Sequence, residues 1–370
     1  MGESLTIILA GGGTGGHLYP GIAVAQALRA ALPQAVPLFL CTEREIDRVI
    51  LEPTGFQFIT QPIVPPRRTI GGLLKFWRSW RGTIDLVKEI LRDRRPAAVL
   101  GLGGYAAGVA VKRAAMRQIP TAILNPDMLP GSANRYLMPW ARVVCCQFDS
   151  SAHVPPEFRG KLRVTGCPIR QEIRHLPPRR DAAQRLGINP DLKTLVITGA
   201  SQGAVTVNEA MLALAGTIRL DGWQILHLSG REHGQSVRSG YQQKNVAAHV
   251  IDFTAAMADV WAVADLALSR SGASSCAELT ACGVPSILVP YPFHKDLHQR
   301  ANAKVLADGG AAVLVDDEKI AAKNAEKLRP ILESLLHDEP KRHAMSQAAH
   351  KLARPEAAEN VADVVAQLIK

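Results

Sequence analysis

The sequence predicts an α/β fold of doubly wound parallel sheets divided over two domains. Short apolar runs fit for buried parallel strands alternate with helical stretches along the whole chain. Several runs end in glycine-rich turns, at the strand ends where open α/β sheets bind ligands. A length of 370 residues exceeds one ordinary core, so two domains are expected. The expected division is 1–164, 165–352, and a terminal helix at 353–370 that packs back on the first domain. The linker is placed in the polar, proline-bearing segment from Gly166 to Pro178.

Composition narrows the function classes. A formal net charge of +10 suits an anionic partner: a nucleotide, a phospholipid surface or a nucleic acid. The six cysteines contain no Cys-x-x-Cys pair and mostly sit in apolar runs, so they read as buried thiols of a reducing compartment. No apolar run reaches the length of a membrane span. The N-terminus leads almost at once into a strand and lacks the pattern of a signal peptide, so a cytosolic protein is expected.

The first strand is Leu5–Ala10, followed by Gly11-Gly12-Gly13-Thr14-Gly15-Gly16-His17 and a helix over residues 19–31. Strand, glycine loop and helix let backbone N–H groups approach a diphosphate. The same order is a dinucleotide fingerprint, so an NAD enzyme is the competing reading. Five glycines and an imidazole crowd the loop, and no clear ribose-binding acid follows Phe39-Leu40-Cys41-Thr42, which ranks that reading lower. A histidine at a helix start stays neutral, because the dipole disfavours its cation. His17 therefore either acts as a general base or simply bonds to the loop.

Residues 63–92 hold Pro65-Pro66-Arg67-Arg68 and then a helix from about Gly72. Leu73, Trp77, Trp80, Ile84, Val87 and Leu91 share one face, with Leu74 and Phe76 outside it. Lys75, Arg78 and Arg81 extend the positive charge. The 84–91 half reads as core. The 73–81 half reads as a surface for an anionic bilayer. Residues 97–100 make a strand, followed by the second glycine loop, Gly101-Leu102-Gly103-Gly104-Tyr105. Further strands are expected at 121–124, 143–146 and 162–164.

The second half repeats the pattern. A strand at 194–198 meets Gly199-Ala200-Ser201-Gln202-Gly203-Ala204, which opens a helix to residue 215. Strands follow at 223–228 and 249–251, and Asp252-Phe253-Thr254 is expected to open a helix. A strand over 263–268 then runs into a small polar turn at 269–275. The helix beyond it carries Glu278 one turn in, and Gly283-Val284-Pro285 ends that helix. Residues 287–289 and 312–315 complete the strands, and 320–336, 340–352 and 355–369 are helical. A helix start with bare N–H groups favours a phosphate. Glu278 is placed for sugar hydroxyls, and the loop with Tyr291, His294, Lys295, Asp296, His298 and Gln299 adds further polar ligands. Together they point to a nucleoside-diphosphate-sugar site. No Asp-x-Asp and no His/Cys/Glu grouping at ligand spacing is found, so no metal is expected. The sequence has no Gly-Lys-Ser/Thr phosphate loop.

Five motifs occur in a characteristic order: Gly-Gly-Thr-Gly-Gly-His at 12–17, Gly-Gly-Tyr at 103–105, Gly-Ala-Ser-Gln-Gly-Ala at 199–204, Ser-Arg-Ser-Gly-Ala-x-x-x-x-Glu at 269–278, and His-Lys-Asp-x-x-Gln at 294–299. As a set they resemble the MurG family of bacterial cell-wall glycosyltransferases. The resemblance implies the GT-B fold, an N-terminal acceptor domain and a C-terminal UDP-sugar domain. It implies inverting transfer of N-acetylglucosamine from UDP-N-acetylglucosamine to the C4 hydroxyl of undecaprenyl-diphospho-N-acetylmuramoyl-pentapeptide, a polyprenyl-diphosphate lipid. No cofactor, no metal and no nucleic acid are implied. The implied place is the cytoplasmic face of the inner membrane, bound peripherally at an anionic surface through Leu73, Phe76, Trp77 and Trp80.

By the same resemblance His17 is the base, beside Thr14, Gly15 and Gly16. The loops at 13–16 and at Gly103, Gly104 and Tyr105 receive the acceptor diphosphate. Arg170, Ser201 and Gln202 lie near the donor phosphates, and Thr254 borders uracil. Ala273, Ser274 and Ser275 meet phosphate, Glu278 holds the ribose, and His298 and Gln299 contact the sugar. The chain departs from the family at residues 125–131. There Asn125-Pro126-Asp127-Met128 stands for the usual His-Glu-Gln-Asn, with one residue fewer after it. Asn125 or Asp127 is left to serve as the sugar contact. The departure keeps two other readings open: a transferase with another lipid acceptor such as a diacylglycerol, and a non-catalytic UDP-sugar-binding protein at the membrane.

Overall fold

The computed structural model describes residues 4–66, 69–199 and 203–370. Arg67, Arg68, Ser201 and Gln202 lie outside the described residues. The chain forms two compact units, one of residues 1–170 with 354–370, the other of residues 171–353.

The first unit is built on seven parallel strands: β1 (Leu5–Ala10), β2 (Ala35–Thr42), β3 (Gln57–Gln61), β4 (Ala98–Gly101), β5 (Thr121–Asn125), β6 (Val143–Cys146) and β7 (Leu162–Val164). Their order is β3-β2-β1-β4-β5-β6-β7. Both faces of the central strands are covered, which is why β1, β2, β4, β5 and β6 read as mostly apolar runs. Ile7, Leu9, Phe39, Leu100 and Leu124 face one way, onto Leu18, Val24 and Leu28 of the Gly15–Ala31 helix. Their neighbours Ile8, Leu38, Leu40, Val99 and Ile123 face the other, onto Val87, Ile90 and Leu91 of the Ile70–Asp93 helix. Successive residues of each strand thus serve opposite layers. The Ala357–Ile369 helix buries Ala358, Val361, Ala362 and Val365 in the first of these cores.

The second unit holds six parallel strands: β8 (Lys193–Thr198), β9 (Trp223–Leu228), β10 (Ala248–Ile251), β11 (Leu266–Ser269), β12 (Ser286–Leu288) and β13 (Ala312–Leu314). Their order is β10-β9-β8-β11-β12-β13. In each sheet the strand order reverses once, between β1 and β4 and between β8 and β11. The glycine turns after β1, β4 and β8 and the polar turn after β11 all flank such switch points, where ligands bind in this class of sheet.

Several elements depart from the sequence-based expectation. The first helix begins at Gly15, so His17 lies inside its first turn rather than ahead of it. Thr14 takes the extended N-cap conformation, and its carbonyl accepts from the His17 and Leu18 amides at 3.2 and 3.3 Å. The apolar run at 263–268 belongs to two elements: a helix ends at Val263 and β11 starts at Leu266. Between them Asp265 accepts from the Thr194 amide at 2.7 Å and from Arg179 at 2.8 Å, which fixes the turn. The helix expected to open at 252–254 starts only at Met257. β3 and the Glu45–Leu51 helix were not anticipated.

All six cysteines are unbridged, five of them buried. Burial pushes the Cys41, Cys145 and Cys282 thiols up to about 12, so they are un-ionised and inert at neutral pH.

Val361 is fully buried where the terminal helix meets the first unit's core. Val361→Ala should lower the stability of that unit by roughly 1–3 kcal/mol, read as an earlier urea unfolding midpoint. An unchanged midpoint would mean that the terminal helix adds nothing to the unit.

Candidate active site

In the first unit the two glycine loops meet around His17. Its Nδ1 lies 3.2 Å from the Gly12 carbonyl and 3.2 Å from Thr14 Oγ1. A carbonyl can only accept, so this contact places the ring proton on Nδ1 and leaves the lone pair on Nε2. Beside that nitrogen run Gly103 and Gly104, with φ of +104° and +71°. A Cβ on Gly104 would stand 2.9 Å from His17 Cε1, and one on Gly103 3.2 Å from Cδ2. Both the backbone conformation and the space demand glycine here. Burial moves the His17 pKa below its ordinary value, while the Gly12 bond and the charges of Asp127 and Asp47 pull weakly the other way. His17 is therefore favoured in its neutral form, with Nε2 beside the backbone of Gly103 and Gly104.

A residue that sequence reading missed shapes the loop. Asp47 is fully buried. Its carboxylate accepts from the Gly13 amide at 2.7 and 2.8 Å, the Thr42 amide at 2.8 Å and the Thr42 hydroxyl at 2.7 Å. Arg44 donates to the Gly13 carbonyl at 2.6 Å. A Cβ on Gly12 would come within 2.3 Å of Asp47 Oδ2. The Gly13 amide is thus taken by protein. Gly15 and Gly16, in the first helical turn, retain the position suited to an anion. Tyr105 lies beyond the second glycine loop, its hydroxyl 3.3 Å from where a Gly13 Cβ would be, so it spans the two loops. The only sequence signal for Asp47 was an acid soon after the second strand, with nothing to show which loop it faced.

Asn125 ends β5 fully buried. Its amide donates to the Asp127 carbonyl at 2.9 Å and its oxygen accepts from Asn134 at 3.0 Å. Asn134 also donates to the Leu124 carbonyl at 2.9 Å. The Asn125 carboxamide thus holds the 125–131 loop, while Asp127 and Met128 are half-buried. Arg170 lays its guanidinium over the Tyr19 ring, 4.7 Å from the centroid.

In the second unit Gly203 adopts φ +74°, and a Cβ there would meet the Ser229 carbonyl at 2.3 Å. Behind this turn lies a network that the sequence did not reveal. Arg270 and Asp317 pair at 2.7 Å, both side chains buried. Arg270 also donates to Thr206 Oγ1 at 2.9 Å and to the Val289 and Pro290 carbonyls, each at 3.0 Å. Asp317 accepts from Asn324 at 2.8 Å and from the Lys319 amide at 2.7 Å. Burial favours the neutral acid, yet these bonds from Thr206, Asn324 and Arg270 hold the Asp317 pKa below its ordinary value. The pair ties together the segments that follow β8, β11, β12 and β13.

The Ala273–Ala281 helix starts at the end of β11, with Ala273, Ser274 and Ser275 half-exposed in its first turn. Glu278 accepts from Trp261 Nε1 at 2.8 Å, which fixes one carboxylate oxygen. Thr254 is half-buried and accepts from the Ala256 amide at 3.0 Å. Gln299 accepts from the Tyr291 amide at 3.0 Å. His298 faces Asp296 at 2.8 Å and His294 at 3.3 Å. The expectation of no metal-ligand grouping therefore needs correcting, because His294, Asp296 and His298 bring three ligand atoms within 4.8 Å of one another. Residue spacing alone hid the cluster, since the turn at Leu297, with φ +48°, creates it.

Two Rossmann-like units with glycine turns at the carboxyl edges of parallel sheets make up the GT-B fold. The crystal structure of Acinetobacter baumannii MurG has that fold, with a TM-score of 0.76, 24% identity, and 98% of this chain and 99% of that one covered. The glycosyltransferase family 28 N-terminal domain matches residues 7–146 and the family 28 C-terminal domain residues 194–361. The UDP-N-acetylglucosamine–N-acetylmuramyl-(pentapeptide) pyrophosphoryl-undecaprenol N-acetylglucosamine transferase of Halothermothrix orenii is 31% identical, over 99% of this chain and 100% of its own length. The protein of the same name from Desulforudis audaxviator is 35% identical, over 98% of both. The chain belongs to glycosyltransferase family 28.

Asp47→Ala would strand the Gly13 and Thr42 amides without their acceptor. It should destabilise the first unit by about 2–4 kcal/mol, read as a fall in its melting temperature. No change in melting would remove Asp47 as the anchor of the loop.

Proposed function

We propose that this chain moves N-acetylglucosamine from UDP-N-acetylglucosamine to the C4 hydroxyl of the muramoyl sugar of undecaprenyl-diphospho-N-acetylmuramoyl-pentapeptide, with inversion. Membership of family 28 and full-length relatives of that activity support the reaction class. The observation that carries the residue assignment is His17, neutral, with Nε2 as its acceptor nitrogen beside Gly103 and Gly104. In the step, the acceptor hydroxyl gives its proton to His17 Nε2 while its oxygen bonds to the anomeric carbon. The bond from that carbon to the donor diphosphate breaks, and UDP leaves with the electron pair. Backbone amides and serine hydroxyls at the start of the Ala273–Ala281 helix stabilise the charge on the leaving diphosphate. Glu278, held by Trp261, receives the ribose hydroxyls, and Gln299 with His298 borders the sugar. Thr254 lies against uracil. Gly15, Gly16 and the Gly103–Tyr105 turn face the acceptor diphosphate, and Arg170 adds positive charge near the donor phosphates.

The test is transfer of radiolabelled N-acetylglucosamine to an undecaprenyl-diphospho-muramoyl-pentapeptide acceptor. His17→Ala should lose at least about 100-fold in turnover, with UDP-sugar affinity unchanged. Turnover equal to the parent's would refute the base role. Binding of the UDP-sugar without transfer by the parent would shift the reading to another lipid acceptor, and the Asn125–Met128 departure is the first place to look.

The same base fixes the pH dependence. His17 works unprotonated, and burial lowers its pKa. Activity should therefore persist below pH 6.5, the ordinary histidine midpoint, and fall only as pH drops through the lowered value. An acid limb of kcat/KM at or above pH 6.5 would contradict this assignment.

Membrane docking rests on the Ile70–Asp93 helix. No helix among the described residues is long and apolar enough to cross a membrane. Within this helix Ile70 is 90%, Leu74 62% and Trp77 60% exposed, with Leu73 exposed beside them. Phe76 and Trp80 are half-buried, and Lys75, Arg78 and Arg81 are exposed around them. An apolar surface ringed by cations suits the anionic inner leaflet. Replacing Leu74 and Trp77 together by Ala should cut cosedimentation with anionic vesicles about tenfold or more. Equal cosedimentation would remove this face from any docking role.

A further inference from the structure

The loop that leads into the His298–Asp308 helix carries His294, Asp296 and His298, one ligand atom from each lying within 4.8 Å of the others. His294 Nδ1 stands 3.3 Å from His298 Nε2. A tetrahedral cation about 2.0–2.1 Å from two imidazole nitrogens sets them about 3.3 Å apart. The two histidines are thus spaced as one edge of such a site. The second nitrogen of His298, Nδ1, bonds Asp296 Oδ1 at 2.8 Å. An ionised carboxylate accepts, so Nδ1 carries the proton and Nε2 keeps its lone pair toward His294. Carboxylate, histidine and metal in that order is the recurring arrangement by which proteins orient a metal-binding imidazole.

The loop around the cluster is braced. Leu297 holds a left-handed turn at φ +48°, a conformation that costs a leucine about 1–3 kcal/mol. Gln299 clasps the Tyr291 amide across the base of the loop at 3.0 Å. The Tyr291 ring meets the His294 ring edge-on at 4.7 Å, and the two imidazoles stack at 4.6 Å. Two neutral imidazoles meeting nitrogen to nitrogen must share one proton between them. A cation can take the place of that proton.

We propose that His294 Nδ1 and His298 Nε2 bind one divalent cation of the zinc type, with Asp296 orienting His298 and the remaining positions open to water or an anionic oxygen. Imidazole ligands select zinc, nickel or copper over magnesium or calcium. The proposal does not rest on the transferase reading, since the probe is the metal alone.

The experiment is calorimetric titration of Zn²⁺ into the full chain in chelator-free buffer, with Co²⁺ absorption as a second readout of geometry. One binding event per chain and a tetrahedral Co²⁺ spectrum are expected. The double variant His294→Ala/His298→Gln should lose both signals while keeping its circular dichroism. Asp296→Asn should weaken Zn²⁺ about 10–100-fold. His343→Ala, at an exposed histidine bonded to Gln347, should bind as the parent does. Absence of a Zn²⁺ event in the parent, or equal binding in the double variant, would overturn the site. Unchanged affinity in Asp296→Asn would overturn the orienting role given to that carboxylate.

Discussion

A carboxylate buried against a bare backbone turn sets the glycine-loop edge of the first unit. Asp47 is cut off from solvent, and an isolated charge in that position would be strongly destabilising. It persists because two backbone amides and the Thr42 hydroxyl converge on it. That convergence fixes the path of residues 12 and 13 and thereby the carbonyl of Gly12. The Gly12 carbonyl in turn fixes the tautomer of His17. The character of the proposed base thus derives from an acid thirty residues further along the chain, through one amide and one carbonyl. The glycines divide their work accordingly. Gly12 makes room for Asp47, whereas Gly103 and Gly104 make room for the imidazole.

The second unit solves a related problem with an ion pair. Four strands end in segments that must stay in register to present a helix start, a carboxylate and a polar loop together. Arg270 lies in one of these segments and reaches the other three, the last of them through Asp317. A guanidinium has five donors in a rigid fork, so one side chain can satisfy several carbonyls and a carboxylate at once. Lysine could not reproduce that pattern. The desolvation of the pair is offset by the bonds that each partner makes besides the ion pair. Order at the carboxyl edge of this sheet therefore depends on a residue that has no contact role in the proposed chemistry.

Much of the architecture was legible because buried parallel strands advertise themselves as apolar runs. β1, β6 and β9 lie where the runs lie, since their side chains are covered on both faces. Periodicity failed where one apolar run served two elements: residues 263–268 end a helix and begin β11, and only the Asp265 bonds separate them. β3 was missed because its exposed and half-buried side chains break the apolar signal. At the candidate site, the glycines and His17 stood out as residue types in a loop. Asp47, Trp261 and the Arg270–Asp317 pair did not, because their meaning lies in partners distant in sequence. Asn125 shows the same limit from the other side. Its type suggested a ligand contact, yet its carboxamide is engaged with Asp127 and Asn134.

The Ile70–Asp93 helix shows why a single apolar stripe can have two fates. A stripe records only which residues share a face, not what covers it. Along this helix the cover changes midway. Val87, Ile90 and Leu91 press on the sheet, while Trp80 turns toward Phe76 and Tyr136 at ring distances of 5.5 and 6.5 Å. Toward the start of the helix Leu73 and Trp77 reach solvent. The residues off the stripe carry the distinguishing signal. A helix meant only for the core would place polar residues there, but Ile70 and Leu74 widen the apolar surface while Lys75 and Arg78 border it. Extra apolar surface outside the buried face lowers solubility without adding to the core. That extra apolar surface beside cations is the feature on which the proposed docking at an anionic bilayer rests.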